Sequence, residues 1–228
     1  MAVAPVQVAT TQEFHNTTSV SFVSGSVTIT AGADYLICFT HNAGAPVASG
    51  MTYNGVALTY LGESTATFYS TQKKVRAWGM ASPPTGSAYT LRADWDIAMQ
   101  DMGFTWATFS GVGSIGTVYS NAPALNSTSA NGSVTVSDWA TGDYAVGSIV
   151  VNQAITAGDT EMGRYSSIAN NDNYVSSEYQ TADGALNWTH GADIWAAIGL
   201  ALKPATATTY IAPLPYIKRQ AVHRASTY

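Results

Sequence analysis

The chain of 228 residues is long enough to bury a hydrophobic core, and it carries a net charge of −5 with only 10% charged residues. Its 46% hydrophobic content excludes a disordered chain. The acidic balance argues against nucleic acid as the main partner. A single cysteine, Cys38, excludes an internal disulfide.

The first third of the chain has the pattern of short antiparallel strands. Residues 1–19 are polar and rich in threonine, which indicates an edge strand or an arm. Two strands, 19–23 and 26–30, are predicted to pair as a hairpin across a glycine turn. The apolar run 35–39 predicts an inner strand in which Cys38 is a buried, inert thiol.

A second hairpin is predicted at Asn54-Gly55, which lies between two alternating runs and is the strongest short-range hairpin signal. Further strands are predicted at 75–81 and 102–109, with a loop over 94–101 between them.

The second half of the chain repeats the pattern of the first. Val134-Thr135-Val136-Ser137 matches Val27-Thr28-Ile29-Thr30, and Asp143-Tyr144 follows Asp34-Tyr35 after 109 residues. Each half closes on an apolar strand with a tryptophan, Trp106 or Trp195. The two halves are therefore predicted to contribute equivalent strands to the fold.

The apolar stretch 194–202 contains no charge, as is typical of a strand that is buried on both faces. A short buried helix is the alternative, since alanine and leucine favour helix. The Thr-, Val- and Gly-rich surroundings favour a central strand. With about 14 short strands and no helical pattern, residues 1–204 are predicted to form one all-β domain. The predicted architecture is a two-sheet antiparallel β-sandwich, jelly-roll-like, in which each half-repeat contributes strands to both sheets.

Residues 205–228 are predicted to form an extended C-terminal arm. Pro213 and Pro215 favour extended backbone around them. Three of the nine Lys and Arg residues lie among the last 11, and no acidic residue follows Asp193. Such a basic segment on an acidic body is either a solvated terminus or an arm for an acidic neighbour. The residues predicted to contact a partner are Tyr210, Ile211, Leu214, Tyr216, Ile217, Lys218, Arg219 and Arg224.

No pattern in the sequence predicts an enzyme, a metal site or a cofactor. The four histidines, His15, His41, His190 and His223, lack metal-ligand spacing, and His190 is expected to be a solvated loop histidine. Nucleophile-elbow, phosphate-loop and dinucleotide motifs are absent from the sequence.

The densest acidic cluster is formed by Asp94, Asp96 and Asp101. Three carboxylates on one loop are a candidate calcium site, although a solvated turn is the preferred interpretation. Glycoside hydrolysis would need two carboxylates opposed across a cleft, and Asp94 with Glu178 or with Asp193 are conceivable pairs. Nothing in the sequence selects either pair.

Aromatic side chains in the second half are candidates for stacking on a sugar. They are Tyr165, Tyr174, Tyr179 and Trp188, near the polar run Asn170-Asn171-Asp172-Asn173. Ordinary strand packing beside a polar hairpin turn is the preferred interpretation.

Three stretches together resemble β-sandwich virion proteins of tailed bacteriophages, over about residues 20–204. They are Tyr53-Asn54-Gly55-Val56-Ala57-Leu58-Thr59, the strand end Thr108-Phe109-Ser110-Gly111-Val112, and Trp195-Ala196-Ala197-Ile198-Gly199-Leu200-Ala201-Leu202-Lys203-Pro204. The resemblance rests on structural motifs and transfers no functional residue. It implies a capsid decoration (cement) protein or a tail-associated module.

The leading hypothesis is therefore a non-enzymatic virion protein that docks on the capsid shell and on neighbouring subunits. Its expected partners are the major capsid protein or another virion protein and further copies of itself, without a membrane and without direct contact with nucleic acid. Residues 1–5 lack the pattern of a secretory signal, so the protein is expected to be made in the host cytoplasm. The alternative is a tail- or fibre-associated module that binds a carbohydrate receptor.

Overall fold

The computed structural model describes residues 2–8, 13–15, 19–99, 102–166 and 174–206. In these ranges the chain is all-β, with several antiparallel sheets packed against one another. The predicted class, an antiparallel β-sandwich, is confirmed. The same ranges contain no helix that is long and apolar enough to span a membrane.

The first repeat is the part of the chain up to Ser110. Its described strands, in chain order, are β1 (Ala4–Val8), β2 (Glu13–His15), β3 (Ser19–Val23), β4 (Val27–Thr28), β5 (Tyr35–Ala43), β6 (Ala48–Tyr53), β7 (Val56–Ala57), β8 (Thr59–Phe68), β9 (Thr71–Ala81), β10 (Ala88–Tyr89), β11 (Leu91–Met99) and β12 (Met102–Ser110).

The second repeat begins after Gly111. Its described strands are β13 (Val112–Ile115), β14 (Tyr119–Asn121), β15 (Gly132–Thr135), β16 (Tyr144–Val151), β17 (Ala157–Gly158), β18 (Thr160–Ser166), β19 (Tyr174–Gln180), β20 (Ala185–Thr189) and β21 (Trp195–Pro204).

The two repeats have corresponding sheets. The first large sheet has the order β1-β12-β5-β9-β8, and the second large sheet has the order β13-β21-β16-β19-β18. The first small sheet, β3-β11-β6-β7, corresponds to the second small sheet, β15-β20-β17, and the short pair β10-β4 extends the first repeat. Among the described strands, each sheet draws on one repeat alone. The internal repeat indicated by the sequence is therefore a repeat of topology.

The Asp-Tyr pairs mark equivalent positions, because Asp34-Tyr35 leads into β5 and Asp143-Tyr144 leads into β16. The two tryptophans, Trp106 and Trp195, do not occupy equivalent positions. Trp106 lies in the middle of β12, opposite Cys38, whereas Trp195 is the first residue of β21.

The sheets stack in layers with the two large sheets in the centre. One apolar cluster fills the space between the first small and first large sheets, a second joins the two large sheets, and a third lies between the second large and second small sheets. Successive residues of β5 face different clusters, since Cys38 belongs to the first cluster and Ile37 to the central one.

Both large sheets are thus covered on both faces, which explains their uninterrupted apolar strands. In β21, Ile198 and Leu200 face the central cluster while Ala197 and Ala201 face the outer one. The central-strand prediction for residues 194–202 is confirmed. The apolar side chains at the centre of the large sheets are buried, among them Ile37, Phe39, Phe104, Trp106, Val146, Ile149, Ile198 and Leu200.

The repeats contact each other reciprocally. β8 of the first repeat lies against β21 of the second, and β18 of the second lies against β12 of the first. Reciprocal contacts of this kind are what a two-fold arrangement of similar units produces.

The number of layers differs from the two-sheet expectation. Each repeat builds a sandwich of its own, and the two sandwiches then stack through their large sheets. The apolar pattern of β5, β12, β16 and β21 indicates that both faces of these strands are buried. It does not identify which sheet covers each face. This is why the sequence alone suggested that both halves share two sheets.

One predicted hairpin is confirmed and one is wrong. Asn54 and Gly55 connect β6 to β7 with positive φ angles of 53° and 72°, as a type I′ turn requires. The strands at 19–23 and 26–30 do not pair with each other. Instead, β3 pairs with β11 and β4 pairs with β10.

Candidate interaction site

The acidic segment is a strand and not the predicted loop. β11 runs from Leu91 to Met99, with Ala93 and Trp95 buried and the intervening Asp94 and Asp96 on the opposite face. The alternation of apolar and acidic residues is that of a half-exposed strand at the surface.

Both of these carboxylates have partners inside the protein. Asp94 lies 2.7 Å from the guanidinium of Arg92, and an Asp96 oxygen accepts a hydrogen bond of 2.7 Å from the Val47 amide. Asp101, the third member of the candidate calcium set, lies outside the described residues. Within the ranges that the structure describes, no group of three or more His, Cys, Asp or Glu side chains is arranged to hold a metal ion.

The candidate pairs of catalytic carboxylates are not brought together. Asp94 lies in the outer small sheet of the first repeat, whereas Glu178 is fully buried in the second large sheet. Glu178 accepts hydrogen bonds of 2.7 Å from the Ser176 hydroxyl and from the Asp159 amide. Glu178 therefore anchors the backbone that precedes β18. The third carboxylate, Asp193, accepts a hydrogen bond from the Ile194 amide.

A buried polar chain crosses the interface between the large sheets. His41 Nε2 lies 2.6 Å from Ser148 Oγ, and Ser177 donates a hydrogen bond of 2.7 Å to the same oxygen. Thr105 Oγ1 lies 2.5 Å from Ser177 Oγ and completes the chain. Two of these side chains come from each repeat, so this buried polar chain links the repeats across an otherwise apolar layer.

This polar chain has a structural role. Burial lowers the pKa of His41 from 6.5 to about 3, partly opposed by a hydrogen bond with the Gly103 backbone. The ring is therefore neutral at physiological pH. Ser148 and His41 are 0% and 1% exposed, so the serine is not accessible as a nucleophile.

The other histidines and the cysteine occupy varied positions. His190 is not the expected solvated loop residue. It is 5% exposed, its Nδ1 lies 2.7 Å from the Gly191 carbonyl, and its ring packs against Trp195. Burial lowers its pKa. Cys38 is fully buried, as predicted, and burial raises the pKa of its thiol. His15 lies on β2, and His223 is outside the described residues.

The candidate sugar-stacking residues do not share a surface. Trp188 is 1% exposed in the outer cluster of the second repeat, and Tyr174 packs against that same cluster. Tyr179 packs on the opposite face of β19, against the central cluster. Tyr165 lies on β18, and residues 170–173 are outside the described ranges.

A first cleft of about 410 Å³ opens where the edge of the first large sheet meets β13 of the second repeat. Its lining residues are Tyr35, Thr59, Leu61, Gly79, Ala81, Val112, Gly113, Ser114 and Ile115. None of these side chains carries a formal charge. Burial, followed by the nearby Cys38, raises the pKa of Tyr35 to about 12, so its phenol stays neutral.

A second cleft of about 400 Å³ occupies the equivalent place in the second repeat. It is lined by Tyr144, Asp159, Thr160, Tyr179, Gln180, Thr181 and Ala182. The equivalence follows from the register, since Thr59 opposes Gly79 on β9 and Thr160 opposes Tyr179 on β19. The second cleft is the more polar of the two. Burial raises the pKa of Asp159, opposed by a hydrogen bond from the Asn187 amide.

The described part of the chain ends beside the first cleft. Pro204 pairs with Val112, and the Ala205 amide donates a hydrogen bond of 2.8 Å to the Gly111 carbonyl. Lys203 fixes this end of β21 through an ion pair of 3.0 Å with Asp143. Thr206 is exposed and is the last described residue.

All eight residues predicted to bind a partner follow Thr206 and lie outside the described residues. The structure therefore locates the point at which their segment starts. The cleft beside that point could not be predicted from the sequence, because it is formed by residues of two repeats that are distant along the chain.

The described part of the protein is thus all-β and made of two stacked antiparallel sandwiches, with an apolar cleft where the last described strand ends. Comparison with protein-family models, with curated proteins and with solved structures found no match to this chain.

Proposed function

We propose that the protein is a non-enzymatic structural protein of a bacteriophage virion, a capsid decoration protein that docks on the shell and on neighbouring subunits. The observation that carries the proposal is that the described chain ends at a sheet edge beside an apolar cleft. The residues that follow this point in the sequence have a composition that suits docking.

The polar groups of the body support a structural role. The buried His41, Ser148 and Glu178 have hydrogen-bond partners within the protein. A catalytic group instead needs access to its substrate and to the proton that it transfers. The carboxylate that lines one of the two clefts belongs to Asp159, and it accepts a hydrogen bond from the Asn187 amide.

The composition of the last segment supports docking. Pro213 and Pro215 restrict its backbone before binding, so less conformational entropy is lost when it is ordered. Burial of a few tyrosine, isoleucine and leucine side chains supplies several kcal/mol, at roughly 25 cal/mol per Å² of apolar surface. The basic residues that follow add a salt-sensitive attraction to an acidic surface.

The resemblance of three stretches to β-sandwich virion proteins supplies the biological setting of the proposal. Two of those stretches, around the turn at Asn54-Gly55 and along β21, are structural parts of the body. The expected partners remain the major capsid protein, another virion protein and further copies of this chain.

The test is to compare the full chain with a chain that ends at Thr206. Ending at Thr206 keeps Pro204 and Ala205, which belong to the hydrogen-bonded edge. We expect the shortened protein to melt at the same temperature but to lose co-sedimentation with purified particles that lack the protein. Electron microscopy of the decorated particles then locates the full chain.

A charge variant serves as the control for this experiment. Replacing Lys218, Arg219 and Arg224 by glutamine keeps the apolar groups, so binding should weaken mainly at low salt. Undiminished decoration of particles by the chain ending at Thr206 would contradict the proposal.

The second cleft supports one alternative function, recognition of a carbohydrate receptor. The rings of Tyr144 and Tyr179 lie 5.7 Å apart beside the hydroxyls of Thr160 and Thr181, and Asp159 adds a carboxylate. Aromatic faces with a few polar groups are typical of ligand clefts. A glycan array probed with the wild type and with Asp159→Asn tests this function, which predicts a signal that the variant loses.

A further inference from the structure

We infer that the first cleft is the docking site for residues 210–217 of a second copy of the chain. This inference rests on the proposed function, because it identifies one of the neighbouring subunits as the partner and the cleft as its contact.

The chemistry of the cleft matches that of the segment. The cleft contributes the apolar side chains of Leu61, Val112 and Ile115 and the neutral phenol of Tyr35. Residues 210–217 read Tyr-Ile-Ala-Pro-Leu-Pro-Tyr-Ile, which contains no charge and five large apolar or aromatic side chains. Grooves that are lined by apolar and aromatic groups commonly bind proline-rich extended segments. At about 410 Å³, the cleft is in the size range of sites that hold such side chains.

The prolines favour insertion into a cleft over addition of a strand to the sheet edge. Pro213 and Pro215 lack a backbone N–H, and they stand at alternate positions, so both donors that would face one neighbouring strand are missing. Contacts between side chains and a groove do not require those donors.

The direction of the chain favours a second copy over the same copy. β21 runs antiparallel to β13, so the chain passes Ile115 first, then Val112, and reaches Gly111 at Ala205. At its last described residues the chain is therefore directed away from the cleft. Three residues, 207–209, separate Thr206 from Tyr210, and the segment of the same copy would have to reverse direction within them.

Charge near the cleft is complementary to the residues that follow the segment. Asp34 accepts hydrogen bonds from the Gly111 and Val112 amides at one end of β13. Lys218 and Arg219 come directly after residue 217. A segment seated in the cleft with residue 217 at this end places basic groups close to the Asp34 carboxylate.

Disulfide trapping tests the inference directly. One protein carries Ser114→Cys in the cleft and another carries Leu214→Cys, and the two are mixed and oxidised. Ser114 is exposed, whereas the native Cys38 is fully buried. One of the two proteins carries a tag, so the mixed dimer differs in size from both homodimers on a non-reducing gel, and we expect the mixed dimer to predominate. A mixture of Thr181→Cys, from the second cleft, with Leu214→Cys is the matched control and should not enrich the mixed dimer.

The same two substitutions in one chain distinguish the alternatives. A linked dimer or longer ladder supports docking between copies. A monomer with an internal disulfide overturns the inference in favour of docking within one copy. Absence of any disulfide overturns it altogether.

A second measurement does not depend on cysteine chemistry. Thr59→Trp places a bulky ring in the first cleft, and Thr160→Trp makes the same change at the equivalent exposed position of the second cleft. We expect Thr59→Trp to weaken self-association at least tenfold in analytical ultracentrifugation, with an unchanged melting temperature. Thr160→Trp should associate like the wild type, and equal behaviour of the two variants would contradict the inference.

The two proposals can fail separately. If the chain ending at Thr206 loses particle binding but no disulfide forms, the proposed function stands and the cleft is the wrong site. If the linked dimer forms but the shortened chain still decorates particles, the cleft contact exists and the proposed function is wrong.

Discussion

His41 should make the protein sensitive to acid, and glutamine at this position should reduce that sensitivity. Burial lowers the pKa of His41 from 6.5 to about 3, so the folded protein keeps the ring neutral while the unfolded chain protonates it below pH 6.5. Unfolding is therefore increasingly favoured as the pH falls from about 6.5 towards 3. The loss amounts to about 1.4 kcal/mol per pH unit for one such group, or about 2.5 kcal/mol between pH 7 and pH 4.5.

The assay is urea unfolding followed by tryptophan fluorescence at several pH values. The free energy of unfolding of the wild type should fall about 2.5 kcal/mol more than that of His41→Gln between pH 7 and pH 4.5. Carboxylates affect both proteins equally and cancel in the difference. His190→Gln serves for comparison, since the pKa of His190 is also lowered by burial. Parallel pH profiles of the wild type and His41→Gln would refute the assignment of a neutral, buried His41.

Three further outcomes are expected. Ile198→Asp buries an unpaired charge in the central cluster and should cost several kcal/mol of a total of about 5–15, so an unchanged melting temperature would contradict the central position of β21. Gly158→Ala would place a Cβ against the Glu178 carboxylate and should cost about 1–3 kcal/mol in chemical denaturation, whereas Gly50→Ala, which meets open space, should leave stability nearly unchanged. A chelator should not alter the melting temperature, and a drop that disappears in Asp94→Asn would instead establish a cation site.

Local structure was predictable where one residue pattern has one physical solution. Asn54-Gly55 favours positive φ at two successive positions, and the structure has a two-residue hairpin there. The apolar run 194–202 likewise predicted a strand with both faces buried, as β21 is.

The arrangement of layers was not predictable, because a buried strand carries no record of which sheet covers it. The acidic segment differs from the predicted loop for another reason. Clustered charges such as Asp94 and Asp96 are typical of loops, whereas the strand is marked only by the alternate apolar residues Ala93 and Trp95.

The candidate site depended even more on tertiary structure. The first cleft joins residues around Leu61 with residues around Val112, and the last described residues reach it only because β21 pairs with β13. The composition of the last segment predicted docking. Its location relative to a cleft required the fold.

The separation of the sheets between repeats has a consequence for synthesis on the ribosome. The described sheets of the first repeat use strands up to Ser110 alone, so they can form before the second repeat has been translated. Until then the face with Ile37, Phe39 and Phe109 is exposed to solvent. Nascent chains on adjacent ribosomes could pair through these faces, in the place that the second repeat later takes. Slow translation of the second repeat would thus favour entangled or aggregated chains over the correctly stacked monomer.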